Sequence, residues 1–310
     1  MAYAAVLPVV SVTACLMAVL LTSCGGSTAG TSASSGPPRD NTPQVLAVEQ
    51  PGEAVAGDEN ATLDFSNATD GYICASSHLG DTTVKILVDT PDGNQYQYNI
   101  KQDHGYVTIP LTAGSGTYTV GVYQNISGET YAALFSQDVA AEITDQFKPF
   151  LYPNQYVDFS EGDQTVTLGQ QVTDGAVTEV DAANDIYMWV VENISYDYDK
   201  AAEVQPGYLP NNADTLASEN GICFDFASLT AAMMRSQRLP TRLEIGYAGS
   251  AYHAWIEIYT TDQGTIRREI QFTGSTWVLL DPTFDSAGQG TGDISSIIGD
   301  GSTYQAMFYY

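Results

Sequence analysis

Asn220-Gly221-Ile222-Cys223-Phe224-Asp225-Phe226-Ala227 places a cysteine at the opening of a helical pattern. Beyond it, Phe226, Leu229, Met233 and Met234 recur at i, i+3, i+7 and i+8, and the Ala231-Ala232 pair favours helix. Arg238-Leu239-Pro240 ends that run. Strand-like runs follow at 242–247, 253–259, 268–272 and 277–281. A helix carrying a thiol, packed on an antiparallel sheet, is an α+β arrangement. Upstream, Ile186, Val190, Val191 and Ile194 predict a second helix over 180–194 with Asp181 as its cap. A polar loop is expected from there to Glu219.

Two of the strand-like runs carry further reactive groups. His253 opens Tyr252-His253-Ala254-Trp255, and Asp281 closes Trp277-Val278-Leu279-Leu280-Asp281-Pro282-Thr283. Taken singly, each residue has a plain reading: a small core cysteine, a structural histidine, an Asp-Pro turn. Together they supply a sulfur nucleophile, a base to hold it as thiolate, and a carboxylate to orient the base. A cysteine in the first helical turn also faces unpaired backbone N–H groups and the positive end of the helix dipole, both of which favour the thiolate. The same N–H groups suit a developing oxyanion. Trp255 is a candidate wall of the cleft and Tyr196 a candidate second oxyanion donor, against the plainer reading of both as packing residues. Asp225 is assigned to the helix start.

These frames resemble the transglutaminase-like superfamily. The resemblance is carried by Gly221-Ile222-Cys223-Phe224-Asp225-Phe226-Ala227-Ser228-Leu229, Arg235 to Arg242, Gly246-Tyr247, His253-Ala254-Trp255-Ile256-Glu257 and Trp277 to Thr283. It covers roughly 183–284. It implies a papain-like fold and a Cys-His-Asp triad at Cys223, His253 and Asp281, working through a thioester on amides of peptides or proteins. Water or an amine then resolves the thioester, giving a peptidase or a cross-linking acyltransferase. The competing class is a non-catalytic surface module that keeps the fold for binding or scaffolding. No calcium loop and no zinc-ligand spacing is apparent, so no metal or other cofactor is expected.

The region before this core is organised differently. Between 61 and 143, short alternating runs at 84–88, 96–100, 106–111, 116–123 and 132–139 are separated by turn signals such as Pro91-Asp92-Gly93-Asn94. They predict a small all-β sandwich. The chain carries ten basic residues against thirty-seven acidic ones, a net charge of −27. That composition disfavours nucleic acid and charge-driven adsorption to anionic membranes.

The N-terminus is apolar from Ala2 to Leu21, has no charged side chain before Arg39, and reaches Leu21-Thr22-Ser23-Cys24-Gly25-Gly26. This resembles a bacterial lipoprotein signal with Cys24 as the lipidated residue; an uncleaved membrane anchor is the alternative. Either reading places the rest outside the cytoplasm, with membrane contact at the N-terminus and a peptide or protein of the cell envelope as the expected partner. The expected organisation is a signal at 1–23, a flexible tether at 24–57, the β-sandwich at 58–145 and the transglutaminase-like domain at 146–310. Cys74 reads as a small apolar strand residue.

Overall fold

The structure is a computed structural model that describes residues 36–100, 105–266, 270–287 and 301–310. The signal, Cys24 and the Arg267-Arg268 pair lie outside the described residues.

The N-terminal part is built from two antiparallel sheets. One has the order β1 (Val55–Gly57), β2 (Ala61–Asp64), β3 (Tyr72–Ser77), β6 (Val107–Pro110); the other runs β5 (Gln95–Ile100), β4 (Val84–Asp89), β7 (Gly116–Ser127), β8 (Thr130–Ala141). Period-2 alternation decides which side chains go inward. Val84, Ile86 and Val88 on β4 are buried with Tyr96, Tyr98 and Ile100 on β5, against Leu63, Ile73 and Ile109 of the other sheet. The β4–β5 turn closes at Gly93, whose φ of 89° is costly for any residue with a Cβ. Cys74 is buried on β3 and, like Cys223, is a free thiol.

The C-terminal part wraps helices around one central helix. These are α1 (Gln164–Val172), α2 (Glu179–Asn193), α3 (Tyr198–Glu203), α4 (Asn212–Ser218), α5 (Cys223–Ser236) and α6 (Pro282–Ala287). Their sheet has the antiparallel order β15 (Thr276–Leu280), β12 (Ala251–Thr260), β11 (Thr241–Ala248), β16 (Tyr304–Tyr309). A hairpin of β13 (Gln263–Ile266) and β14 (Ile270–Thr273) lies beside it. The apolar spacing of α5 points to one buried face, yet every residue from Asp225 to Ser236 is buried. α1 and α2 pack on α5, as do β11 and β12, so no face of the helix is left to solvent.

At the end of α5, Arg235 is enclosed. Its guanidinium donates to the carbonyls of Tyr152, Thr241 and Tyr310 at 2.6–3.0 Å, stitching the connector, β11 and the chain end to the central helix. Burial lowers its pKa to about 9.

Three expectations need correction. The cap of α2 is Thr178, not Asp181. Asp181 is the third helical residue and closes a reciprocal box, its amide donating to Thr178 Oγ1 at 3.0 Å while its carboxylate accepts from the Thr178 amide at 2.9 Å. The polar stretch before Glu219 contains the short helices α3 and α4. The tether read as reaching residue 57 is seated on the body from Arg39 onward. The Arg39 amide donates to Ala176 O and the Gln44 amide to Ser236 O, both at 2.8 Å, and the Arg238 guanidinium donates to the carbonyls of Asp40 and Thr42. β1 then pairs with β2, so the sandwich begins before residue 58.

Candidate active site

Cys223 is the first residue of α5, half-buried, at the point where the chain turns from a short parallel bridge into the helix. That bridge pairs Ser195-Tyr196 (β9) with Asn220-Gly221 (β10), which sets Tyr196 opposite Gly221. Gly221 is required there because a Cβ would come within 2.7 Å of the Asp225 Cβ. Glu219, just upstream, holds a left-handed backbone at φ 53°, a conformation that costs a residue with a Cβ and clusters near functional sites. The amides of the first helical turn, including that of Cys223, have no carbonyl one turn earlier in the helix.

His253 on β12 is buried, with its Nε2 2.8 Å from Asp281 Oδ2. The Cys223 thiol lies close enough to the ring to act on its charge. Because Nε2 is occupied by the carboxylate, Nδ1 is the nitrogen left for sulfur. Burial alone would lower the imidazole pKa, but the hydrogen bond to Asp281 and the charges of Asp281 and Cys223 outweigh it and push the value up to about 9. At neutral pH the ring is therefore held as imidazolium. Phe284 stacks on one face at 4.5 Å and an interplanar angle of 12°, fixing the ring plane.

Asp281 is fully enclosed just after β15, and each of its oxygens is occupied. Oδ1 accepts from the amides of Thr283 and Phe284 at 3.1 Å, starting α6, and Oδ2 accepts from the Tyr304 hydroxyl at 2.8 Å in addition to facing His253. Its backbone carbonyl accepts from Tyr187 of α2 at 3.1 Å. The Ser286 hydroxyl on α6 donates to Ile194 O at 2.8 Å, locking that helix to the end of α2.

The fold thus brings Cys223, His253 and Asp281 into one row, with a hydrogen bond joining the last two. Trp255 is not in the cleft as expected. Its side chain is 0 % exposed, stacked 6.2 Å from the His253 ring and edge-on to Tyr304 at 5.0 Å, so it backs the imidazole. Period-2 alternation explains the placement, since 253 and 255 point to the same face of β12. Tyr196 lies in the field of Cys223, its hydroxyl pKa raised by burial and then by that thiol's charge. Tyr252, 62 % exposed, flanks the thiol as well, its pKa raised by burial, Tyr247 and Cys223.

Tyr187, Phe284 and Tyr304 were not found from the sequence as parts of this site. The signal for Phe284 was its place three residues after Asp281. For Tyr304 it was only the alternating, aromatic-rich texture of Tyr304 to Tyr309.

Residues 166–282 match the family model described as Transglutaminase-like superfamily, a span that includes all three members of the row. A UPF0252 protein from Methanocaldococcus jannaschii is 29 % identical over 86 residues, covering 24 % of this chain and 24 % of its own length, so the chain spans only about a quarter of that curated relative. Among solved structures, a proposed cysteine protease from Cytophaga hutchinsonii aligns with 69 % of this chain and 74 % of its own, at 17 % identity and a TM-score of 0.36. Red sea bream transglutaminase aligns with 68 % of this chain and 47 % of its own, at 13 % identity and a TM-score of 0.32.

Proposed function

From the premise that residues 166–282 carry a transglutaminase-like core, we propose that this protein is a thiol enzyme acting on amide bonds of peptides or proteins outside the cytoplasm. The observation that carries the reading is that Asp281 holds His253 at 2.8 Å while the Cys223 thiol, at a helix start, lies within the electrostatic reach of that imidazole.

In this mechanism the Cys223 thiolate attacks the amide carbon. The carbonyl oxygen becomes an oxyanion beside the free amides of the α5 first turn. The imidazolium of His253 gives its proton to the leaving amine, the C–N bond breaks, and a thioester on Cys223 remains. Water or an acceptor amine then attacks; neutral His253 takes its proton, and the C–S bond breaks to return the thiolate and imidazolium. Asp281 keeps the ring aligned and stabilises its positive charge throughout. Tyr196 and Tyr252 flank the thiol and would contact substrate. The apolar run before Cys24 supports export with a lipid anchor at that residue.

Two measurements test the reading. Iodoacetamide at pH 6 labels Cys223 at least about tenfold faster than free cysteine if the ion pair exists. Cys74, whose thiol burial pushes up to about 12, stays unlabelled. Labelling at or below the rate of free cysteine would favour a non-catalytic binding module. Incubation with a glutamine-containing peptide and a labelled primary amine then separates cross-linking, seen as incorporated amine, from hydrolysis, seen as released acid. For the anchor, radiolabelled palmitate incorporated in a bacterial host is expected to vanish in a Cys24→Ala variant.

A further inference from the structure

Asp225 is an awkward neighbour for a thiolate. It sits two residues after Cys223 in the same first turn, and its side chain is fully buried. Its Oδ2 accepts from the Ile222 amide at 2.8 Å, which starts the helix. An anion at a helix N-terminus satisfies the dipole. A second anion in the same turn must then compete for that dipole while being repelled by the first.

The structure supplies a countercharge. Lys200 Nζ lies 2.7 Å from Asp225 Oδ2, and the Tyr208 hydroxyl donates to Oδ1 at 2.5 Å. The ammonium also sits 4.7 Å over the Tyr208 ring. Both partners come from the polar stretch after Asp197, and α3 itself buries no residue. Tyr208 packs edge-on to Phe224 at 6.4 Å, next to the nucleophile. A solvent-facing segment therefore reaches into the catalytic helix at one buried carboxylate.

We propose that Lys200 is a positioning residue for Cys223: by neutralising the buried Asp225 carboxylate, it leaves the positive end of α5 to the thiolate. The inference rests on the reading of Cys223 as nucleophile and goes beyond it, because Lys200 touches neither thiol nor imidazole. Burial alone would lower the lysine's pKa, but its bonds to Asp225 and Tyr208 hold it above the ordinary range, so it stays charged at the pH values where the thiolate is needed. The groups facing this end of α5 are His253, Tyr196 and Tyr252 toward Cys223, and Lys200 and Tyr208 toward Asp225. Of these, Lys200 is the cation on the Asp225 side.

The test follows Cys223 alkylation by iodoacetamide from pH 5 to pH 9 in the full chain, read by intact mass. Lys200→Met is expected to slow labelling about tenfold at pH 6, with the deficit closing by pH 9, where thiols ionise unaided. Lys200→Arg keeps the charge and the wild-type profile. The double variant Lys200→Met/Asp225→Asn removes both charges, keeps an acceptor for the Ile222 amide, and recovers most of the rate at pH 6. A Lys200→Met profile matching wild type overturns the inference. So does a double variant as slow as Lys200→Met at every pH, since that pattern belongs to lost packing. If wild-type Cys223 labels no faster than free cysteine, the nucleophile reading falls first and this inference with it.

Discussion

Asp281 faces His253 with one carboxylate oxygen, 2.8 Å from Nε2, and starts helix α6 with the other. Orientation of the base and entry into α6 are therefore the work of a single side chain. An error in either would displace the other, because Phe284 on α6 also stacks on the imidazole.

Asp281→Asn separates the two duties. The asparagine oxygen still accepts from Thr283 and Phe284, so the fold is retained. Its NH2 group now donates toward Nε2, which forces the ring proton onto Nδ1 and removes the lone pair that sulfur needs. Turnover is expected to fall about a thousandfold or more, with the secondary structure of the folded protein unchanged. Steady-state kinetics and circular dichroism on the same sample check it, and activity within tenfold of wild type would exclude the role assigned to Asp281.

Tyr304→Phe removes the hydroxyl that bonds Asp281 Oδ2 and keeps the edge contact on Trp255. The carboxylate loses one of its restraints, so kcat/KM is expected to drop about tenfold, mostly in kcat. An equal loss after Trp255→Phe with Tyr304 intact would assign the effect to packing.

His253 links stability to pH. Its folded value of about 9 lies above the model-compound value of 6.5, so the native state holds the proton more tightly than the unfolded chain. The resulting stabilisation is complete below about pH 6.5 and is lost as pH rises through 9. Urea midpoints at pH 6, 7.5 and 9.5 are expected to descend, and His253→Gln should flatten the part of the descent between 6.5 and 9. A descent unchanged in that variant would contradict the assignment.

Glu244 contributes a second descent with a different origin. Burial, then the charge and hydrogen bond of Glu257, push its carboxyl up to about 9, while Arg242 beside Glu257 only partly offsets this. Between its ordinary value of 4.5 and 9 the native state keeps a proton that the unfolded chain releases, so stability falls with rising pH. Glu244→Gln keeps a donor to Glu257 and sheds that cost. The variant is expected to be more stable than wild type by about 1–2 kcal/mol at pH 8 and indistinguishable at pH 4. Destabilisation at pH 8 would refute the argument.

Much of the site was legible because its chemistry is local. Cys223 announces a helix start through Gly221 before it and the apolar spacing after it; His253 and Asp281 stand at strand ends that alternation and Pro282 mark out. What escaped depends on distance along the chain or on polar contacts. Tyr304 reaches Asp281 only because β16 pairs with β11, and no local pattern encodes that pairing. The segment after Arg39 docks through backbone amides and arginine–carbonyl bonds, which leave no hydrophobic period to read. Helices α3 and α4 are too short and too exposed to show one. Trp255 was assigned by proximity to His253, while its burial follows from sheet geometry.

The pairing of β16 with β11 has a consequence for when this protein becomes chemically competent. Cys223, His253 and Asp281 are all synthesised before the strand that brings Tyr304 to Asp281 and covers the edge of β11. A nascent chain thus carries its thiol for some time without the finished support around it. Completion of the sheet is therefore the event on which the hydrogen bond from Tyr304 to Asp281 waits.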